Sequence, residues 1–265
     1  MAPVFSEKAL TEMRQHRRTL LSRHADLQMR FQSRRYKTER GKEFALQGFG
    51  RRMGILIKAI ESVFTVLPPE RDRENVAAHD EITDATIAIH AFVINLVGCI
   101  DNLAWVWVCE KPVRGKDGGE LEPRAVGLWK QHAHVRDTLS SDFREYLESR
   151  EGWFKHIRDF RDSLAHRIPL YIPPYGVRTS RLDEHNRLEQ EAANALRRLD
   201  FEGHDRAREA QEKLGDFLPL ITHSFSEGAE KIYFHGQLLS DYSTIDEFGW
   251  KMLAELERED RRVNA

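Results

Sequence analysis

Arg161, Asp162 and His166 lie within one short stretch, FRDSLAHRIPLYIPP, from Phe160 to Pro174. A guanidinium and an imidazole near a helix end can handle a phosphate without a metal. The arginine would bind the phosphate in its fixed fork and stabilise the charge that grows during attack. At the C-terminal end of a helix the dipole favours a cationic imidazolium, suited to protonating a leaving oxygen. Asp162 would orient a neighbouring side chain or the next helix. RNA brings its own nucleophile, the 2′-hydroxyl, so a positioned phosphate and one acid or base group suffice.

Spacing alone does not single out this pair. Roughly four such arginine–histidine pairs are expected by chance in this composition, and Arg18 with His24, Arg73 with His79, Arg150 with His156 and Arg198 with His204 are further examples. Arg161 is the one followed by Asn, Asp or His. On an α-helix Arg161 and His166 stand about 140° apart. They converge only if the arginine reaches along the helix or a second subunit contributes.

Tyr171 and Tyr175, just beyond the stretch, would either stack on a base or anchor the chain to the rest of the fold. Asp101 and Asn102, inside an apolar run, would either face the Arg161 helix in support of the site or satisfy a buried polar contact. His132 and His134 are two residues apart, point to different sides of a helix and lack a Cys or acid at ligand spacing, so no metal site is expected. No Walker sequence, nucleophile elbow or HExxH occurs, and no cofactor is expected.

The elements that must position these residues read as helical nearly throughout. Leu10, Met13, Leu20, Leu21, Leu27 and Phe31 recur at helical spacing over 6–35, with Ser6 as N-cap. A second helix spans about 42–66 and stops at Pro68-Pro69; Gly48, Gly50 and Gly54 in its first half indicate close helix contact or an irregular turn. A third covers 84–110. Shorter helices near 123–134 and 141–146 lead into 150–166, which Pro169 ends, because the residue before a proline avoids the α region. Beyond Val177, helices are expected near 183–199, 205–214, 217–230 and 244–259, the last with Thr244 and Glu247 as a capping box. The sole extended piece is a short one at 170–175.

The chain therefore reads as one all-α helical domain over 1–265. Within it, 80–176 is the motif-bearing core, 1–67 the long basic helices and 178–265 an acidic helical region. Between Arg14 and Arg52 there are twelve Lys and Arg against three acids, while from Leu182 to Ala265 nineteen acids face eleven bases. The basic part would contact a phosphate backbone, with Phe31, Tyr36 and Phe44 as stacking groups, or coat a helix that pairs with the acidic part. The apolar stretch 85–108 holds His90, Asn95, Asp101 and Asn102, costly in hydrocarbon, and reads as the central helix of a bundle rather than a membrane span. Cys99 and Cys109 show no disulfide or ligand pattern. The N-terminus has no secretion-signal pattern, so a cytoplasmic location is expected.

RDSLAH, ending a late helix of an all-α chain and preceded by a long apolar helix, resembles the motif of the HEPN superfamily, in which an arginine is followed after four to six residues by a histidine. The resemblance implies a helical bundle, often dimeric, with two motif copies meeting across the interface. It implies a metal-independent endoribonuclease of a toxin–antitoxin or phage-defence setting, with an antitoxin or nucleotidyltransferase as partner. Arg161 and His166 become the catalytic pair and Asp162 the polar supporter. Other members are silent scaffolds or nucleotide-binding modules. On that alternative Arg161 makes a structural salt bridge and His166 caps the helix end.

Overall fold

Seven-residue and three-to-four-residue spacing of apolar side chains sets the helices, and the longest apolar one becomes the axis on which the others pack. The computed structural model describes residues 3–115, 117–224 and 230–263. The fold is all-α, with two short antiparallel strand pairs at its edge. Helix α1 (Glu7–Ser33) starts at Ser6, whose hydroxyl accepts from the Ala9 amide at 3.3 Å, and it buries Leu10, Leu20, Leu27 and Phe31. Helix α2 (Glu39–Glu43) runs into a π-helical segment, Phe44–Gly50, and then α3 (Arg51–Val66). Two glycines there permit close contact. A Cβ at Gly48 would lie 2.8 Å from the Asn102 side chain, and one at Gly50 would meet Gln28 of α1 at 2.9 Å, whereas Gly54 has open space beside it.

Helix α4 (His79–Glu110) buries Ile89, Phe92, Leu96, Ile100, Leu103 and Trp107 among the other helices. It is long and apolar enough to cross a membrane, yet 56% of its most apolar window is buried inside the protein. A single cluster of buried apolar side chains runs from Leu20 to Leu256 through α1, α3, α4, α6 (Ser141–Ser149), α7 (Glu151–His166) and α10 (Phe234–Val263). Helices α8 (Leu182–Arg197) and α9 (Phe201–Glu212) form a hairpin whose buried Leu188, Ala192, Ala195 and Ala207 lie outside that cluster. Strand β1 (Gly176–Val177) pairs with β2 (Gly215–Asp216) at its base. Arg178 closes this base by donating to both oxygens of Asp216 at 2.6 and 2.9 Å.

The polarised charge is resolved largely by internal pairing. Arg23 meets Asp246, Arg30 meets Glu257 at 3.0 Å, and Arg34 and Lys37 meet Asp260 at 2.7 and 3.1 Å, so basic α1 lies on acidic α10. Phe31 is buried and the Tyr36 hydroxyl donates to its carbonyl at 2.8 Å, so neither is an open stacking surface.

Three expectations are corrected. The segment 123–134 is mostly irregular, with a 3-10 turn at Pro123–Ala125 before the single-turn α5 (Ala133–Arg136). Pro219 interrupts the helix expected over 217–230. Its carbonyl accepts from the Phe234 amide at 3.1 Å, while β3 (Leu220–Ile221) pairs with β4 (Ile232–Tyr233), and 225–229 lie outside the described residues. Thr244 sits inside α10 rather than at its start, its hydroxyl bonded to the Ser240 carbonyl at 3.0 Å, a side-chain bond that lets threonine sit inside a helix.

Glu110, 2% exposed at the end of α4, accepts from the amides of Lys37 and Thr38 at 3.0 and 3.2 Å and from the Thr38 hydroxyl at 3.1 Å. It thereby holds the α1–α2 connection. Glu110→Ala leaves these donors unpaired and is expected to cost about 3 kcal/mol of unfolding free energy by urea denaturation.

Candidate functional site

The site is built on α7. Phe154, Ile157, Phe160 and Ser163 recur at three-residue intervals and turn inward, which leaves Arg158, Arg161 and Asp162 facing the exposed edge of α4. The helix ends where the Arg167 amide bonds the Ser163 carbonyl at 3.1 Å. A clasp fixes that end: the Arg167 guanidinium donates to the Asp159 carboxylate and to the Ser163 hydroxyl, and buried His223 meets Asp159 at 3.0 Å. Burial pushes the Asp159 carboxyl up, but the hydrogen bonds from Arg167 and His223 outweigh it and hold it below its ordinary range.

Arg161 lines a groove of about 520 Å³ between α7, α4 and the 123–132 connection. Asp162 and Arg158 share it from α7, Asp101 and Trp105 from α4, and Arg124 and Trp129 from the connection. The Arg161 side chain is 36% exposed, and its ion-pair partner among the described residues is its neighbour Asp162 at 3.1 Å, whose side chain is 39% exposed. Such a solvated pair contributes little, typically below about 1 kcal/mol, so it leaves the guanidinium available to an anion. Arg158 lies 4.4 Å over the Trp129 ring and donates to the Gln131 side-chain carbonyl at 3.1 Å.

Asp101 accepts from the Trp129 indole at 3.3 Å. Burial pushes its carboxyl up, opposed by the Trp129 hydrogen bond and by the charges of Arg161, Arg52 and His132. Its carboxyl lies in the groove beside the Arg161 guanidinium, placed to accept a proton from a bound group. His132 also lines the groove, but its ring packs on Gly127 and its Nε2 meets the Arg124 carbonyl at 3.3 Å, while burial lowers its pKa. Among the described residues no group of three His, Cys, Asp or Glu could hold a metal.

The structure thus brings together Arg161, Asp162 and Asp101. His166 is exposed in the last turn of α7 and does not line the groove, as the angular separation requires. Asn102, next to Asp101 in sequence, turns to the opposite edge of α4, where its side-chain carbonyl accepts from Arg52 Nε at 3.0 Å. Tyr171 pairs through its backbone with Thr222, at 2.9 and 3.2 Å. Tyr175 packs its ring on Gly215 at the base of the α8–α9 hairpin, with His185 edge-on at 6.1 Å. Neither tyrosine lines the groove.

Sequence reasoning missed Arg124, Arg158 and Trp129. Arg158 was within reach of it, since a residue three positions before Arg161 shares its face. Trp129 and Arg124 arrive from an irregular connection that has no periodicity to read. No family model, curated protein or solved structure matches this chain.

Proposed function

We propose that the protein is a metal-independent endoribonuclease of HEPN type that acts as a homodimer. The observation that carries this reading is the Arg161 side chain, one-third exposed and lightly paired, in a groove it shares with Arg158, Arg124 and the Asp101 carboxyl. Arg161 grips the scissile phosphate and stabilises the charge gathering on its non-bridging oxygens. The 2′-oxygen attacks phosphorus and loses its proton to the Asp101 carboxylate. The bond to the 5′-oxygen breaks as that oxygen takes a proton from the His166 imidazolium. The products are a 2′,3′-cyclic phosphate and a free 5′-hydroxyl.

His166 comes from the second copy, because its own helix turns it away from the groove. A face suited to that copy lies alongside. Ile87 and Ile94 are one heptad apart and, with Asp101 a further heptad on, share one side of α4. They are 61% and 42% exposed, and Ile168 beyond the end of α7 is 47% exposed. The exposure of His166 also suits a second reading, a silent helical scaffold, in which Arg161 and His166 play no joint part.

Incubation with RNA in excess chelator tests the proposal. Cleavage is expected to persist in chelator, to leave cyclic phosphate ends and to fail on strands whose 2′-hydroxyls are replaced by hydrogen. Loss of cleavage on chelation, or cutting of the 2′-deoxy strand, would overturn the mechanism, and absence of any cleavage by the purified dimer would favour the scaffold.

A further inference from the structure

On the opposite edge of α4 from Asp101 lies a second groove of about 520 Å³, lined by Arg40, Arg51 and Arg52 with Asn95, Asn102 and Gln47. One acid, Glu43, stands among its lining residues. We propose that this groove binds the continuation of a single RNA strand whose scissile phosphate sits at Arg161. RNA is the ligand by the function proposed above, and the second groove adds binding without chemistry.

The manner in which the arginines are held carries the inference. Many basic side chains among the described residues meet carboxylates, as between α1 and α10 and at Arg40 with Glu120 at 3.4 Å, but Arg52 does not. Its Nε and Nη1 donate to the side-chain carbonyls of Asn102 and Asn95 at 3.0 and 2.9 Å. Its guanidinium lies flat on Gly98, where a Cβ would stand 2.5 Å from its central carbon. Among the described residues neither Arg51 nor Arg52 has a carboxylate within ion-pair distance. Neutral amide oxygens thus fix the guanidinium without an ion pair. An aspartate at either asparagine would position it equally well and cancel the charge. Arg158 in the first groove is held in the same way, by the neutral Gln131 carbonyl.

Each groove also pairs its cation with an aromatic surface, the combination that single-stranded nucleic acid uses for phosphates and bases. Arg158 covers Trp129 in the first. At the second, Arg40 lies 4.6 Å over Trp105, which stacks on Phe44 with ring centres 5.0 Å apart and planes 6° from parallel. Trp105 lines the Arg161 groove, whereas Phe44 and Arg40 line the Arg52 groove, so this stack joins the two. The surface beside it is the π-helical segment Phe44–Gly50, whose Gly48 lets the backbone approach Asn102. A π-helical turn is itself a common mark of a functional surface.

The test is binding of fluorescent 2′-O-methyl RNA, which lacks the nucleophile and so separates binding from cleavage. Two lengths are compared, about four and about twelve nucleotides, bracketing the shorter and longer sites of single-strand binders. The double variant Arg51→Ala/Arg52→Gln is expected to weaken the longer strand about tenfold and leave the shorter one unchanged. Its slope of log affinity against log salt should fall by about 1.4, the equivalent of two phosphate contacts at ~0.7 each. Arg51→Ala alone, at an exposed position, should show about half the change in slope and guards against misfolding of the Arg52 variant. Equal losses at both lengths, no loss at either, or tighter binding of duplex than of single strand would overturn the second groove. Cleavage failing while length-dependent binding holds would overturn the enzymatic mechanism and leave the groove standing.

Discussion

Arg161→Ala and His166→Ala homodimers are each expected to be nearly inactive on RNA, and a mixture of the two is expected to regain about a quarter of wild-type activity when subunits exchange freely. The single losses follow from what each group supplies. Removing a preorganised charge donor costs on the order of 10²- to 10³-fold, and removing an acid or base on the order of 10²- to 10⁴-fold. The recovery follows from the geometry of α7. Arg161 opens into the groove, while His166, about 140° further round the helix, is exposed and outside it. If every site takes its arginine from one copy and its histidine from the other, a mixed dimer contains one site with both residues and one with neither. With half the dimers mixed and one site intact in each, about a quarter of all sites are restored. Initial rates on a labelled RNA before and after subunit exchange provide the measurement. A mixture no more active than its components would show that each copy uses its own pair, or that the pair does no chemistry. Either result would remove the dimeric site.

The same separation shows how far the sequence carries. Features within one helix were readable: the end of α7 before Pro169 and the incompatibility of Arg161 and His166 on one face follow from helical geometry, whereas Gly48, Gly50 and Gly54 fit close contact or an irregular turn alike, and Gly54 has open space beside it. Asp101 and Asn102 show the limit. Their position in α4 was evident, but adjacent residues on a helix diverge by about 100°. Which of the two would meet Arg161 depends on how α7 crosses α4. The polar setting of Arg52 was not legible either, because its two acceptors lie 43 and 50 residues away in sequence. The start of α10 was misplaced because Thr244 and Glu247 have the spacing of a cap without its backbone, and the true start depends on the carbonyl of Pro219 across a strand pair.

Asp241→Asn is expected to raise stability strongly above neutral pH and little below pH 4. The Asp241 side chain, on α10, accepts from the Trp153 indole at 2.8 Å and from Gln237 at 2.7 Å, and the residue is 5% exposed. Burial raises its pKa from an ordinary 3.8 to about 7, against the smaller opposing effect of those two hydrogen bonds. Between these values the folded protein keeps a proton that the unfolded chain has lost. The stability from this group is thus fully present below pH 3.8 and declines by about 1.4 kcal/mol per pH unit until pH passes 7. Asparagine keeps an oxygen for both donors and cannot ionise, so the variant escapes the decline. Its advantage at pH 8.5 should be roughly 2 to 4 kcal/mol. At about 2–4 °C per kcal/mol for a chain of this size, the melting temperature should rise by several degrees. Other buried groups titrate as well, including Asp101 and Asp246, so the informative quantity is the difference between variant and wild type at each pH. Asp241→Ala separates charge from hydrogen bonding, since it leaves Trp153 and Gln237 without their acceptor and should destabilise at both pH values. Parallel melting curves for wild type and Asp241→Asn from pH 5 to 8.5 would show that Asp241 is already ionised at the lower pH. Trp153 belongs to α7, so ionisation of Asp241 acts on the same helix that presents Arg161, and a more stable Asp241→Asn variant should hold that helix in place at a pH where the wild type begins to loosen.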